Sequence, residues 1–385
     1  MEQSNSKRKK IKGSWCQYVN TFGEKFDSMH KQNTDLSSDI KISTVKVSKS
    51  VVSVASLSAD KKFHFFGSGT VIKCDQVNMK YVSTILTSGS MFGDSRNGVE
   101  YVAQIYLHDG RTFDVRAYHY DIHYNIALLK VESIRPLLPA ILKGVKVINK
   151  APARGGFLRR HSDTFHLSHG DEVISVGRFC QEPYRVMSAP GTFSNKCCDL
   201  DCPLMLKTTC NISKCGTGGP LINGDGEVIG INFFLEEYTP FMPINIVSKC
   251  IEHFEKHGKF VRPNFGIKGA NFSTGTSLQM MDKINRAFPD ISTGILVKEV
   301  VPLSPAYYAG IRAGDVLLRC GGDIIQSVVE FEVIMLDKIG EALEIELLKE
   351  FKLVEKTVVV EELSPDQFYS WCLPKRRWVV MTGDV

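Results

Sequence analysis

The chain has 385 residues, 43% of them hydrophobic and 23% charged, which is enough apolar material for two domains of unequal size with their own cores. No stretch reaches the roughly eighteen uninterrupted apolar residues of a spanning helix, and residues 1–16 lack the apolar core of a secretory signal, so neither export nor a membrane partner is expected. The net charge of +5, from 47 Lys and Arg against 42 Asp and Glu, is concentrated in Lys7, Arg8, Lys9, Lys10 and Lys12; the rest is nearly neutral, which argues against nucleic acid as a partner.

Residues 1–41 are polar and lysine-rich with no sustained period, and read as a basic flexible leader. The run Lys7-Arg8-Lys9-Lys10 fits a nuclear localisation signal and fits a solvated tail equally well; the expected setting is intracellular, nuclear or cytoplasmic. From residue 42 short β-branched runs recur at 50–57, 69–73, 81–86, 101–107, 125–131, 172–176 and 227–234, the spacing of an all-β barrel or sandwich. Asn223-Gly224-Asp225-Gly226 is a hairpin signal, because Asn and Gly tolerate positive φ. Residues 149–168, with Arg154-Gly155-Gly156 and Arg159-Arg160-His161, read as a surface connection between two β units. From about 262 to 360 strands at 294–300 and 343–349 mix with helices at 305–309 and 328–336. A tail containing Lys375-Arg376-Arg377 follows.

Eleven cysteines is an odd count, and without an export signal a reduced state is expected. Cys197, Cys198, Cys202, Cys210 and Cys215 cluster, but two are vicinal and the gaps do not match paired C-x2-C spacing. They are read as small buried residues, with no metal and no cofactor.

The most specific local signal is Cys215-Gly216-Thr217-Gly218-Gly219-Pro220-Leu221, followed by Gly226-Glu227-Val228-Ile229-Gly230-Ile231-Asn232. It resembles the nucleophile loop of HtrA (Do-like, DegP-type) serine proteases, G-N-S-G-G-P-L running into V-I-G-I-N. Upstream, Gly67-Ser68-Gly69-Thr70-Val71-Ile72, Ile85-Leu86-Thr87-Ser88-Gly89-Ser90, Leu107-His108-Asp109-Gly110-Arg111 and Asp121-Ile122-His123-Tyr124-Asn125-Ile126-Ala127-Leu128-Leu129-Lys130 resemble further family segments in the family's order. Gly170-Asp171-Glu172-Val173 and Phe241-Met242-Pro243-Ile244 continue the match. A second one, Ser304-Pro305-Ala306 with Ala309-Gly310-Ile311-Arg312-Ala313-Gly314-Asp315-Val316-Leu317, resembles an HtrA-type PDZ domain.

The resemblance implies a mainly β fold: a trypsin/chymotrypsin-like double β-barrel at 42–258 and a PDZ domain at 262–360, between the leader 1–41 and a tail 361–385. It puts Thr217 at the nucleophile position, Ser90 at the histidine position and Asn125 at the aspartate position, with Cys215, Gly216 and Thr217 forming the oxyanion loop. Arg262-Pro263-Asn264-Phe265-Gly266-Ile267 resembles the carboxylate-binding loop, which makes Phe265, Gly266 and Ile267 the candidate peptide-binding residues. PDZ domains bind peptides by adding a strand to a sheet edge. Peptides or unfolded protein segments are therefore the implied partners, and a homo-oligomer, a trimer, is implied by the resemblance alone.

The chemistry of the three positions points away from turnover. A hydroxyl nucleophile needs a base, and imidazole suits because its pKa lies near neutrality. Ser90 cannot take that proton, Asn125 carries no charge to stabilise an imidazolium, and an internal threonine lacks the terminal amine on which threonine nucleophiles rely. Loss of a whole triad removes about a millionfold in rate. The expectation is a non-catalytic protein in which Ser90, Asn125 and Thr217 hydrogen-bond one another and peptides bind the PDZ domain. The alternative is an active serine-type endopeptidase using Thr217 with an unrecognised base, for which His64, His119 and His123 are the first-barrel candidates. A third reading is a nuclear factor contacting nucleic acid through the leader.

Overall fold

The computed structural model describes residues 36–57, 63–92, 102–121, 123–147, 164–179, 184–194, 198 and 204–363. The basic run Lys7-Arg8-Lys9-Lys10, the segment Arg159-Arg160-His161, Cys197, Cys202 and the basic tail lie outside these residues. Six strands, β1 (Val51–Leu57), β2 (Phe63–Val77), β3 (Lys80–Ser88), β4 (Val102–Tyr106), β5 (Thr112–Asp121) and β6 (Ile126–Ser133), close a barrel in the order β1-β2-β3-β6-β5-β4. Alternation with period two decides which side chains face inward: Val52 and Val54, Ala103 and Ile105, and Ala127, Leu129 and Val131 share one core. Some of the residues between them are covered as well, while Lys130 is exposed. Val51, Leu86, Ile126 and Leu128 join the core of the neighbouring barrel instead, which explains the unbroken apolar run from Ile126 to Leu129.

Two short strands, β7 (Gly144–Val147) and β8 (Thr164–Leu167), pair in parallel, so the end of the presumed connection 149–168 is a strand rather than irregular chain. The second barrel closes as β10-β11-β14-β13-β12-β9 from β9 (Glu172–Arg178), β10 (Val186–Ser194), β11 (Leu206–Thr208), β12 (Pro220–Ile222), β13 (Val228–Asn232) and β14 (Thr239–Pro243). The hairpin before β13 forms as its residues demand. Gly226 adopts φ +77°, and the Asn223 side-chain oxygen accepts from the amides of Asp225 and Glu227 at 3.1 and 2.9 Å.

Helix α1 (Ser38–Ser48) departs from the sequence reading, because it begins inside the segment taken as leader. Ser37 caps it, accepting from the Ile40 amide at 3.4 Å, and Asp39 favours its first turn. Its apolar residues split between two faces, Ile40 and Val47 buried while Ile42 and Val45 are exposed, so no helical stripe is visible in the sequence. Tertiary contact holds it: the Ser43 hydroxyl bonds the Gly224 carbonyl, and Lys46 Nζ reaches the Asp225 carbonyl at 2.6 Å. Helix α2 (Ile244–His257) follows β14, burying Val247, Cys250 and Phe254 at three- and four-residue intervals and ending on Gly258 at φ +69°.

The remaining sheet has the order β16-β17-β18-β20-β21, built from β16 (Ile267–Asn271), β17 (Ile295–Val300), β18 (Val316–Cys320), β20 (Ala342–Lys349) and β21 (Lys352–Val359). Strand β19 (Asp323–Ile324) pairs with β18, and β15 (Pro263–Asn264) with β22 (Glu361–Glu362). Helices α3 (Phe272–Gly275) and α4 (Leu278–Ala287) fill the segment between β16 and β17, which the sequence left unassigned. Helices α5 (Pro305–Tyr308) and α6 (Val328–Asp337) fall where they were expected. Of the described residues, no helix is long and apolar enough to cross a membrane.

Helix α6 packs against α2, so this sheet region sits on the second barrel. Arg262, in the connection after α2, forms a buried ion pair with Asp121 at the end of β5. Lys146 to Glu330 at 3.5 Å and Lys249 to Asp337 at 3.1 Å lie along the same seam.

Candidate functional site

Thr217 follows a tight 3-10 turn, Lys214–Gly216, at the junction of the two barrels. The turn is held from within, since the Gly216 amide donates to the Ser213 carbonyl at 2.9 Å and the Thr217 amide to the Lys214 carbonyl at 3.0 Å. It is held from outside too: the Ser68 amide donates to the Thr217 carbonyl at 2.8 Å and the Ser68 hydroxyl to the Cys215 carbonyl at 2.8 Å. Gly218 has φ +81°, and a Cβ there would lie 2.5 Å from both the Ser68 carbonyl oxygen and Thr87 Oγ1. Only glycine fits so close an approach at that dihedral. Thr217 is 6% exposed, and its Oγ1 is buried without a hydrogen-bond partner among the described residues.

Ser90 and Asn125 come together beside a residue the sequence reading passed over. Asn125 Oδ1 accepts from the Ser90 amide at 2.6 Å and from the Ser88 hydroxyl at 2.8 Å, and the Ser88 and Ser90 hydroxyls lie 2.7 Å apart. Asn125 sits at φ +51°, a left-handed conformation that asparagine tolerates better than most side chains. The preceding turn is fixed by Asp121, whose carboxylate accepts from the Tyr124 amide at 2.8 Å. The expected mutual bonding therefore holds for Ser90 and Asn125 and fails for Thr217, whose buried hydroxyl has no hydrogen-bond partner among the described residues.

Neither His119 nor His123 hydrogen-bonds Thr217 Oγ1. His119 is stacked on Phe254 at 3.8 Å and lies 4.5 Å from Phe260, and burial lowers its pKa; His123 is edge-on to Tyr124 at 5.0 Å. The side chain of His64 lies outside the described residues. Cys215 is buried beside the Ser213 hydroxyl at 3.0 Å, and burial pushes the Cys210 thiol up, away from the thiolate a nucleophile requires. Cys198, Cys210 and Cys215 are thiols not joined in disulfides. No group of three or more His, Cys, Asp or Glu side chains converges as metal ligands would among the described residues.

Arg178 stands in no motif and is not among the candidate residues read from the sequence. Its side chain is buried at 4% exposure and binds three carbonyls, Val51 at 2.6 Å, Tyr184 at 2.5 Å and Ser48. Its amide donates to the Ser68 hydroxyl at 2.9 Å, so the loop carrying Thr217, the start of β1 and the end of β9 are tied together. Burial pulls the guanidinium down to about 10.

At the far end of the chain, Phe265 is buried and edge-on to Phe331 at 5.2 Å. Its carbonyl accepts from the Ala306 amide at 3.0 Å, and the Gly266 carbonyl from the Val301 amide at 2.8 Å. Ile267 opens β16, which pairs with β17 on one side and ends the sheet on the other. The Val328 amide donates to Asn271 Oδ1 at 2.8 Å, so α6 runs beside that edge. Gly266 has φ +84°, and a Cβ there would lie 2.0 Å from the Ser304 Cβ. Gly266→Ala is expected to destabilise this sheet by about 2–4 kcal/mol, read as an earlier thermal transition for residues 262–363 with the barrels unaffected.

Residues 67–231 match the trypsin-like peptidase domain family, and residues 267–348 match the PDZ domain family. Over 334 residues the chain is 33% identical to the Do-like 14 protein of Arabidopsis thaliana, covering 81% of this chain and 70% of that one. It is 25% identical over 318 residues to the periplasmic serine endoprotease DegP of Escherichia coli, covering 80% of this chain and 59% of that protein. Against serine protease Do-like HtrB of Bacillus subtilis it is 28% identical over 206 residues, 49% of this chain and 45% of that protein. The chain thus spans about half the length of the two bacterial relatives. A solved structure of the HtrA-type protease AlgW with a tripeptide shares the fold, with a TM-score of 0.55 at 17% identity over 85% of this chain and 98% of that one.

Proposed function

The chain belongs to the Do-like (HtrA-type) serine protease family, and from that membership we propose that it is a member without proteolytic turnover that acts by binding peptide or unfolded protein segments. One observation carries the first half: among the described residues Thr217 has no base for its hydroxyl, and its own amide is not free for an oxyanion. Acyl transfer requires a nucleophile that a base can deprotonate and amides aimed at the developing negative charge. Here the hydroxyl is buried and unpartnered, and the amide points at the Lys214 carbonyl. That carbonyl would meet an oxyanion with its own negative end. Ser90 and Asn125 satisfy one another through Ser88, an arrangement suited to filling a cleft rather than moving a proton.

The second half draws on β16, an edge strand with the Phe265-Gly266-Ile267 turn at its start and α6 alongside, which offers the backbone donors and acceptors that an added strand needs. In this reading specificity comes from the side chains lining the strip between β16 and α6. Incubation with unfolded casein and a fluorophosphonate probe tests the first half. Wild type and Thr217→Ala are expected to give the same background hydrolysis and no label; a covalent adduct at Thr217 would sink the proposal. The second half is tested by titrating peptides with free C-termini, with Gly266→Ala as the binding-deficient control.

A further inference from the structure

Helix α6 serves two cores. Phe331 and Met335 pack inside the PDZ domain, while Val329 and Val333 pack with the core of the second barrel. Glu332 lies between these two faces, half-buried at the seam. It is close enough to Tyr124 that, after burial itself and together with Cys250, it raises the phenol's pKa. The other charges at the seam are matched. Asp121 holds Arg262; Glu330 meets Lys146 at 3.5 Å; Asp337 meets Lys249 at 3.1 Å and His253 at 3.9 Å. Lys249 also meets Glu252 at 3.2 Å, and Lys268 on the adjacent β16 is occupied by Glu299 at 3.3 Å. Among the described residues no hydrogen bond or ion pair reaches the Glu332 carboxylate.

We propose that Glu332 is a proton-operated latch: protonated, it lets α6 rest on the barrel, and ionised, it loosens the PDZ domain from the barrel. A carboxylate held half-buried between two packed cores without a partner gives up part of its hydration and gains nothing in exchange, so the docked arrangement favours the neutral acid. Burial pushes this carboxyl up to about 7, from an ordinary value of 4.5. An acid raised in the docked state destabilises docking progressively as pH climbs from the undocked to the docked pKa. The seam is therefore tightest below about 4.5, weakens up to about 7, and is constant above that. His253 works in the opposite sense. Burial lowers its pKa although Asp337 opposes the shift, so protonating it disfavours the seam in acid. The two contributions separate by substitution. The latch does not depend on whether the groove beside β16 binds peptides.

Cys250 sits on α2 at the seam, 1% exposed, and its alkylation in the full chain reports opening; Cys210, buried in the second barrel, serves as the control. Each rate, read by mass spectrometry, is divided by that of the unfolded chain at the same pH. In wild type the normalised Cys250 rate is expected to rise about tenfold per pH unit from 5 to 7 and then level off, with Cys210 unchanged. Glu332→Gln and Glu332→Met, both neutral, should abolish the rise and leave Cys250 about two orders of magnitude better protected than wild type at pH 8. A flat wild-type profile overturns the latch. So does a rise that persists in both variants, since it would then belong to other groups.

Discussion

Arg178→Ala is expected to cost the two barrels about 3–5 kcal/mol, seen as a thermal transition lowered by about 6–20 °C for a unit of this size. The guanidinium is the common partner of the Ser48, Val51 and Tyr184 carbonyls, and among the described residues no carboxylate pairs with it. Removing it strands buried acceptors that water cannot reach, and each unsatisfied group costs about 1–3 kcal/mol. Arg178→Lys should recover only part of this, because a single ammonium cannot span three carbonyls that a planar fork reaches at once. Because the Arg178 amide holds the Ser68 hydroxyl, the same substitution should also loosen the Thr217 loop. Circular dichroism of the wild type and both variants checks the order Arg, Lys, Ala. Equal stability of all three would show that water enters the site and replaces the side chain.

Asp121→Ala should be comparably severe, at about 3–5 kcal/mol, because it leaves Arg262 buried at the barrel seam without its carboxylate. Two consequences are expected together. The turn that presents Asn125 loses the acceptor of the Tyr124 amide, and the PDZ domain loses its anchor on the barrel. The double variant Asp121→Ala with Arg262→Met should recover much of the loss, since an apolar pair of similar volume replaces a charge pair that bore a large desolvation penalty. Denaturant titration of the four-member cycle measures the coupling. Additive single effects would mean that the pair contributes through packing alone.

Much of the candidate cleft was legible in the sequence because its geometry rests on backbone constraints. Gly218 and Asn125 are residue types that positive φ selects, and both stand in motifs whose order along the chain identified them. Thr217 was placed by register, yet the fate of its hydroxyl was not. Whether that oxygen meets Ser90, solvent or nothing depends on rotamer and neighbours more than 100 residues away in sequence. Helix α1 escaped notice because its stability comes from Ser43 and Lys46 gripping a hairpin about 180 residues distant, not from an apolar stripe. Arg178 escaped for the same reason: a lone arginine at a strand end carries no local sign of burial.

The amino-acid sequence by itself determined what is encoded locally: the period-two strands, the glycine turns, the order of the peptidase-like and PDZ segments, and the side chains available at Ser90, Asn125 and Thr217. Only the tertiary structure decided that the Thr217 amide is consumed by Lys214, that Ser88 joins Ser90 to Asn125, and that α6 is shared between two cores. The physical reason is that hydrogen-bond satisfaction and burial are properties of neighbours in space. Strand pitch and turn dihedrals are properties of neighbours in the chain.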